Sequence, residues 1–297
     1  MSLSSLQFTC ASGSYIDVPF SNDMHFRQND FTIEWYQYKY FPYGYSELNG
    51  YRIPETPYML SIGNSQDPTS ENDTFYVKVM LDEPKHNIQY KRPNSTDVLS
   101  FPTRTRDYLN WTHYAISRKN DMLYVYDNGV SIANTTDPIT NQITPGILDT
   151  TEYIFQSGLR IGGNQFSTST DALDPDSYNG AIFYISIVNG ISMFHTESTV
   201  RVPTTLPEVS DNTCLLLTTT KSLGTLADTI TRHNIGIDPI WPPGFGDTVI
   251  VPPYQNNVIA TQPTSYTDNT LVFYKPHSLG YGGVRSITNS RIIARRT

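Results

Sequence analysis

The sequence predicts an all-β protein of antiparallel strands, and three observations carry the prediction. Aromatic residues make up 12% of the 297 and Tyr alone counts 21, against 16% charged, a composition suited to strands that bury one face. Residues 110–133 (NWTHYAISRKNDMLYVYDNGVSIA) set β-branched and aromatic runs against two polar turns, at 119–121 and 127–129. Asn128-Gly129 takes positive φ readily, as a type I′ turn requires, so the next strand folds back antiparallel.

The other elements follow in order. Residues 6–10 and 15–18 read as a hairpin across Ala11-Ser12-Gly13-Ser14, ended by Pro19. Phe31, Ile33 and Trp35 alternate with Thr32, Glu34 and Tyr36, the period of a strand with one buried face. An aromatic-rich segment comes next, with Tyr36, Tyr38, Tyr40, Phe41, Tyr43, Tyr45 and Tyr51 set among Pro42, Gly44 and Gly50. These rings are too many and too irregularly spaced for all to enter the core. Two readings stay open: a loop presenting tyrosines to a sugar ring or a protein partner, and a cover packed across the mouth of the fold.

Residues 58–62, 75–81 and 87–90 read as shorter strands around the polar run 63–73, whose carboxylates and amides offer oxygen ligands for calcium but without EF-hand spacing. Residues 134–151 read as a long Thr/Pro/Asn-rich connection, and Gly162-Gly163 permits a tight bend after the strand that begins at Leu159. In residues 178–188 both phases of the alternation are apolar, so that strand is covered on both sides, by the other sheet and a loop or by a neighbouring subunit. Residues 214–217 (CLLL) close the series. Beyond about Gly236, Pro239, Pro242, Pro243, Pro252 and Pro253 punctuate a stretch holding Trp241 and Phe245, which reads as an extended arm. Residues 271–297 contain no acidic residue but carry Lys275, Arg285, Arg291, Arg295 and Arg296, with β character at 272–274 and 291–294. The domain division is therefore 1–237 for the strand-rich body and 238–297 for the arm and basic tail.

The Trp-Thr-His-x-Ala strand, the Leu-Tyr-Val-Tyr strand and the Asn-Gly turn together resemble the central signature of concanavalin A-like sandwiches of the laminin-G type. Residues 8–19 (FTCASGSYIDVP), 31–36 (FTIEWY), 159–164 (LRIGGN), 178–188 (YNGAIFYISIV) and 214–217 (CLLL) fall in that family's order, so the likeness runs over about 3–237. Tyr36 departs from it, standing where Trp is commoner, and 228–234 resembles the family's polar turn after the closing strand. The likeness implies a two-sheet antiparallel jelly-roll sandwich, here with an extended C-terminal arm. It points to fold more than function, because the family spans lectins, adhesion modules, glycosidases and virion proteins. It also implies neighbouring first and last strands, which leaves Cys10 and Cys214 either bridged or, the favoured reading, as two buried thiols. The tail FYKPHSLGYGGVRSITNSRIIARRT is similar to the C-terminal ends of virion proteins of large double-stranded DNA viruses that carry such a sandwich.

Composition and spacing exclude several classes. A net charge of −8 disfavours nucleic-acid binding, which rests on clustered Lys and Arg. No stretch approaches the roughly 20 apolar residues that span a bilayer, and the N-terminus shows no signal-peptide pattern. The six histidines form neither His-x-His nor His-Glu-x-x-His, and His113 reads as structural. A glycosidase needs two carboxylates across a cleft, whereas Glu34 stands alone on its strand and Glu152 alone in a loop. The sequons at Asn72, Asn94, Asn110 and Asn134 are no more than so Asn- and Thr-rich a chain gives by chance.

The expectation is a non-enzymatic structural or interaction protein, a capsid-associated virion component that needs no cofactor. The arm, through Trp241, Phe245, Arg285, Arg291, Arg295 and Arg296, would fasten it to other capsid proteins or to copies of itself. The alternative is a lectin at a cell surface or outside the cell, with Tyr40, Tyr43 and Tyr45 stacking on glycans.

Overall fold

A computed structural model describes residues 3–8, 14–39, 58–63, 74–80, 87–103, 110–165, 178–220, 231–233, 236–238, 270–274, 285–288 and 291–294. In chain order the strands are β1 (Leu3–Phe8), β2 (Tyr15–Val18), β3 (Phe31–Lys39), β4 (Tyr58–Ile62), β5 (Phe75–Met80), β6 (Asn87–Lys91) and β7 (Val98–Pro102). Then come β8 (Trp111–Lys119), β9 (Met122–Asp127), β10 (Val130–Ser131), β11 (Asn134–Thr136), β12 (Ile143–Pro145), β13 (Ile147–Leu148) and β14 (Leu159–Ile161). The series ends with β15 (Gly180–Asn189), β16 (Thr213–Thr220), β17 (Thr231–His233), β18 (Gly236–Asp238), β19 (Thr270–Tyr274), β20 (Arg285–Thr288) and β21 (Arg291–Ala294).

The central hairpin forms as its turn chemistry requires. β8 and β9 pair around Asn120 and Asp121, at φ 48° and 60°, and β9 turns into β10 through Asn128 and Gly129, at φ 45° and 77°. Positive φ at both central residues matches the right-handed twist of the flanking strands. Onto this hairpin the chain adds a ten-stranded antiparallel sheet in the order β10-β9-β8-β3-β15-β1-β16-β19, with β13 on β9 and β18 on β1. The facing sheet has seven strands in the order β17-β2-β14-β4-β5-β6-β7. Two such sheets, face to face, make the jelly-roll sandwich.

The core lies between them. Phe31, Ile33, Trp35, Tyr114, Ile116, Ile185 and Leu217 of the larger sheet meet Ile16, Leu60, Val77, Ile88, Tyr90 and Ile161 of the smaller, all buried. Tyr114 and Ile116 are therefore the inward phase of β8, and Trp111, His113 and Ala115 form its outward phase.

Three expectations are corrected. β1 and β2 are no hairpin: β1 pairs with β15, β16 and β18, and β2 with β14 and β17 in the opposite sheet. Leu6 and Phe8 thus enter the core from one side and Ile16 and Val18 from the other, which a hairpin within one sheet would prevent. The connection 134–151 holds a β-ribbon, β11 with β12, whose turn is built on Asp137: its Oδ1 accepts from the amides of Ile139 (2.7 Å) and Thr140 (3.0 Å). Thr231–His233, within the expected polar turn, is an edge strand on β2.

The double burial of β15 has an explicit cause. Residues 190–212, between β15 and β16, run as an irregular strap across the outer face of the ten-stranded sheet. Val202, Leu206 and Val209 pack on Tyr36, Phe183, Tyr184 and Leu216, while Phe194 and Val200 pack on Ala115, Tyr124 and Tyr126. Hydrogen bonds fix the strap: Tyr36 OH donates to Pro203 O and Tyr126 OH to Glu197 O, both at 2.9 Å, and Val200 N to Gly129 O at 2.7 Å. A loop of the chain itself covers this face.

Candidate functional site

The outward side of the smaller sheet is partly covered: Tyr58, Ser61 and Lys91 are buried, while Tyr76, Lys78 and Gln89 are half-buried. Its register assembles two outward rows from distant parts of the chain. Asp17, Arg160, Ser61, Tyr76, Lys91 and Val98 stand side by side across β2, β14, β4, β5, β6 and β7. Tyr58, Lys78, Gln89 and Ser100 make the adjacent row. Each strand reaches this arrangement by alternation: in FYVKVM the phase of Phe75, Val77 and Val79 is buried, leaving Tyr76 and Lys78 outward.

The outward side chains are organised by charge and ring contacts. The guanidinium of Arg160 holds the carboxylate of Asp17 through two bonds, Nε to Oδ1 at 2.8 Å and Nη2 to Oδ2 at 3.1 Å, and lies 3.7 Å from the ring centroid of Tyr15. Lys78 Nζ stands 4.0 Å from the Tyr58 ring centre and 5.0 Å from that of Tyr76, and the two rings meet edge to face at 5.2 Å. Lys91 Nζ donates to Thr74 Oγ1 at 2.9 Å. Among the described outward positions of these strands Asp17 is the single carboxylate, matched by Arg160, Lys78 and Lys91. Chemically, the face offers aromatic surface, an ammonium held between rings, and the amides of Gln89 and Asn87.

A second polar cluster lies beneath the strap. His113 Nε2 is 3.0 Å from Glu34 Oε2, and Tyr184 OH donates to that same oxygen at 3.1 Å. Glu34 is 1% exposed and His113 0%, with the rings of Tyr36 at 4.9 Å and Phe194 at 5.6 Å from the imidazole. Burial, with the Glu34 carboxyl group next in importance, holds the Tyr184 phenol well above its usual pKa. A substrate has no path to this cluster, and its geometry is that of a clamp between β3, β8 and β15. The sequence expectation of a structural His113 matches this arrangement. The partnership of Glu34 with His113 was invisible in the sequence.

At one end of the sandwich a pocket of about 240 Å³ is lined by Asp23, Asn29, Asn189, Gly190, Asp211, Asn212 and Cys214. Its amides are spent on the fold: Asn189 Nδ2 donates to Asp23 O (2.9 Å) and His25 O (3.0 Å), and Asn212 Nδ2 to Asn189 O (2.8 Å). Cys214 is a free, buried thiol whose Sγ donates to Asp23 O at 3.0 Å. Among the described residues no three His, Cys, Asp or Glu side chains converge as metal ligands.

Of the residues singled out from sequence, Tyr40, Tyr43, Tyr45, Trp241, Phe245, Arg295, Arg296 and Cys10 lie outside the described residues, as does the run 64–73 considered for calcium. Arg285 and Arg291 open β20 and β21 and sit at opposite ends of that two-stranded ribbon. Tyr36 and Tyr38 leave the supposed presenting loop: Tyr36 is buried under the strap and Tyr38 packs against Trp111 at 5.4 Å. The residues that sequence reasoning missed are Tyr58, Tyr76, Lys78, Gln89, Lys91 and Arg160. Their signal was the polar phase of short alternating strands, which reads as ordinary solvent-facing surface.

No known protein family matches the sequence, and no curated protein does. The fold is a sandwich of two facing antiparallel sheets, and solved structures with a partial likeness to it include a pentraxin and laminin-G domains. A heptameric SAP-like pentraxin of Limulus polyphemus is 11% identical, with a TM-score of 0.43, over 63% of this chain and 76% of that one. Domains LG4-5 of the mouse laminin α1 chain are 11% identical at a TM-score of 0.39, over 74% of this chain and 50% of that one. The enzymatically active domain of tailspike protein 2 from bacteriophage CBA120 is 14% identical at a TM-score of 0.36, over 61% and 24%. The chain thus spans half of the laminin piece and a quarter of the tailspike.

Proposed function

We propose that the protein is a non-enzymatic binding module that recognises carbohydrate on the outward face of its seven-stranded sheet. The observation that carries this reading is the group formed by Tyr58, Tyr76 and Lys78, two edge-to-face rings flanking an ammonium on a face otherwise set with amides and hydroxyls. Aromatic rings supply stacking area for sugar C–H faces, and the neighbouring polar groups supply hydroxyl partners. The non-enzymatic part rests on Asp17, the single carboxylate among the described outward positions of these strands and tied to Arg160, where hydrolysis calls for a pair of carboxylates. The test is a glycan array followed by calorimetric titration of the full chain and of Tyr76→Ala. Binding that falls at least tenfold in the variant supports the reading; a flat array removes it.

A second reading, a capsid-associated virion component fastened through its arm to other capsid proteins or further copies, is favoured by one observation. β19, from the 238–297 segment, adds to the edge of β16 of its own chain through five register pairs, from Leu216 with Tyr274 to Thr220 with Thr270, so this edge accepts an added strand. Strand addition of this kind is a known mode of attachment between chains. Light scattering of the full chain beside a form ending at Asp238 tests it: equal masses for both would sink the arm as an assembly device.

A further inference from the structure

We infer that the ribbon of β11 and β12 is a self-association element: the outer edge of β11 pairs with β11 of a second copy of this chain, antiparallel and about a two-fold axis. The ribbon is separate from the seven-stranded face, and the inference does not depend on the glycan reading. Every residue from Asn134 to Thr144 is exposed. This projection and its root carry the three barest large apolar side chains among the described residues, Ile139 at 89% exposed, Leu148 at 68% and Ile143 at 65%. Charges that would keep such side chains in water are scarce here. In a chain of net charge −8, residues 134–148 hold Asp137 alone, and its carboxylate is engaged by the ribbon's own turn.

The phase of the ladder decides which edge is open. Asp137 N donates to Gln142 O and Gly146 N to Ala133 O, so in an antiparallel alternation Thr135 and Thr144 form the bonded pair between them. The pairs on either side, Asn134 with Pro145 and Thr136 with Ile143, therefore turn their main-chain groups outward. On β12 that edge is spoiled by Pro145, which has no N–H to give. On β11 both outward residues keep a donor and an acceptor, and among the described residues no third strand takes them. Two such edges fit each other. With Thr135 facing its own counterpart on the axis, Asn134 of one copy exchanges hydrogen bonds with Thr136 of the other, and Thr136 with Asn134 in turn. The two ribbons become one continuous sheet, and the copies meet where each bears little charge, so their shared net charge of −8 opposes this contact least. A copy is favoured over a foreign chain because the edge is complementary to itself, whereas a cationic partner would find almost no charge here to answer.

The experiment is sedimentation velocity of the full chain over a range of concentrations. So short a contact should give a weak dimer, with a dissociation constant on the order of micromolar or above. Thr135→Lys sets like charges face to face across the axis and should weaken association by about tenfold, and Thr135→Glu should do the same. Mixing the two variants should restore the dimer, because each then meets the opposite charge, and a folding defect would give no such recovery. A full chain that stays monomeric throughout would overturn the inference. Association undiminished in Thr135→Lys would also overturn it, by placing the contact elsewhere on the molecule. So would a mixture of the two variants that remains monomeric.

Discussion

The phenol of Tyr153 donates to Oδ2 of Asp149 at 2.6 Å inside the sandwich, and accepts in turn from the phenol of Tyr90 at 2.8 Å. Asp149 is fully buried, and its neighbours are cationic: Arg118 Nε reaches its backbone oxygen at 3.0 Å, and Arg92 Nη1 stands 3.5 Å from Oδ1. Burial, then the neighbouring Tyr90 and Asp149, drives the Tyr153 phenol well above its usual pKa, which keeps it a donor. Asp149→Ala would leave the buried Tyr153 phenol without its acceptor and remove the buried carboxylate beside Arg92 and Arg118, at a cost on the order of 3–5 kcal/mol. Urea unfolding measures it, and a loss under 1 kcal/mol would show that the network contributes little.

The Glu34 clamp makes a separate prediction. Glu34→Ala leaves His113 and the Tyr184 phenol buried without their shared acceptor and should cost about 3 kcal/mol. Tyr36→Phe, which removes one bond to the strap, should cost only about 1 kcal/mol. Amide exchange at Val200, bonded to Gly129 O, should accelerate in Tyr36→Phe while the β8–β9 amides stay protected. Uniform acceleration would mean that the strap and sheet open together.

Cys214 gives a prediction for alkaline solution. Burial, then the charge of Asp23, pushes its thiol up to about 12. Folding therefore favours the protonated thiol; this contribution is complete below the unfolded pKa of about 8.5 and is lost as pH rises toward 12. Iodoacetamide at pH 8 should leave Cys214 unmodified in the native protein and label it in urea, read by peptide mass. Rapid native labelling would contradict the buried placement.

His25 works at the other end of the scale. Its Nδ1 accepts from Phe155 N at 3.0 Å, and burial followed by the charge of Arg27 lowers its pKa. The neutral ring is the one that fits, so its contribution is present above about 6.5 and is lost as pH falls through the lowered value. NMR titration of the imidazole should show a midpoint below that of an unfolded peptide. A raised midpoint would reverse the sign.

What the sequence made legible was local. Asn128-Gly129 and the apolar alternation of Phe31, Ile33 and Trp35 depend on neighbours in the chain, and each formed as expected. β7 escaped notice because its residues are largely exposed and it ends in Pro102, so neither alternation nor burial marked it. The pairing of β1 and β2 was misread because turn residues between two short strands look alike whether the strands stay in one sheet or divide between two. The candidate face was illegible for a deeper reason. Arg160, Tyr76 and Lys91 become neighbours only through the registers of β14, β4, β5 and β6, and no single segment records that adjacency. Nor does any periodicity announce that 190–212 will lie over Tyr36 and Tyr184, since the strap binds through scattered Val, Leu and Phe contacts rather than a repeat.

That strap makes the sandwich one-sided. A jelly roll with two bare faces can be gripped from front or back, and copies fixed to a common support would present a mixture of surfaces. Here attachment through the covered side or the sheet edges would leave every copy turning the same seven-stranded sheet outward. Weak sites displayed in one orientation gain avidity from their spacing alone, with no contact needed between the copies.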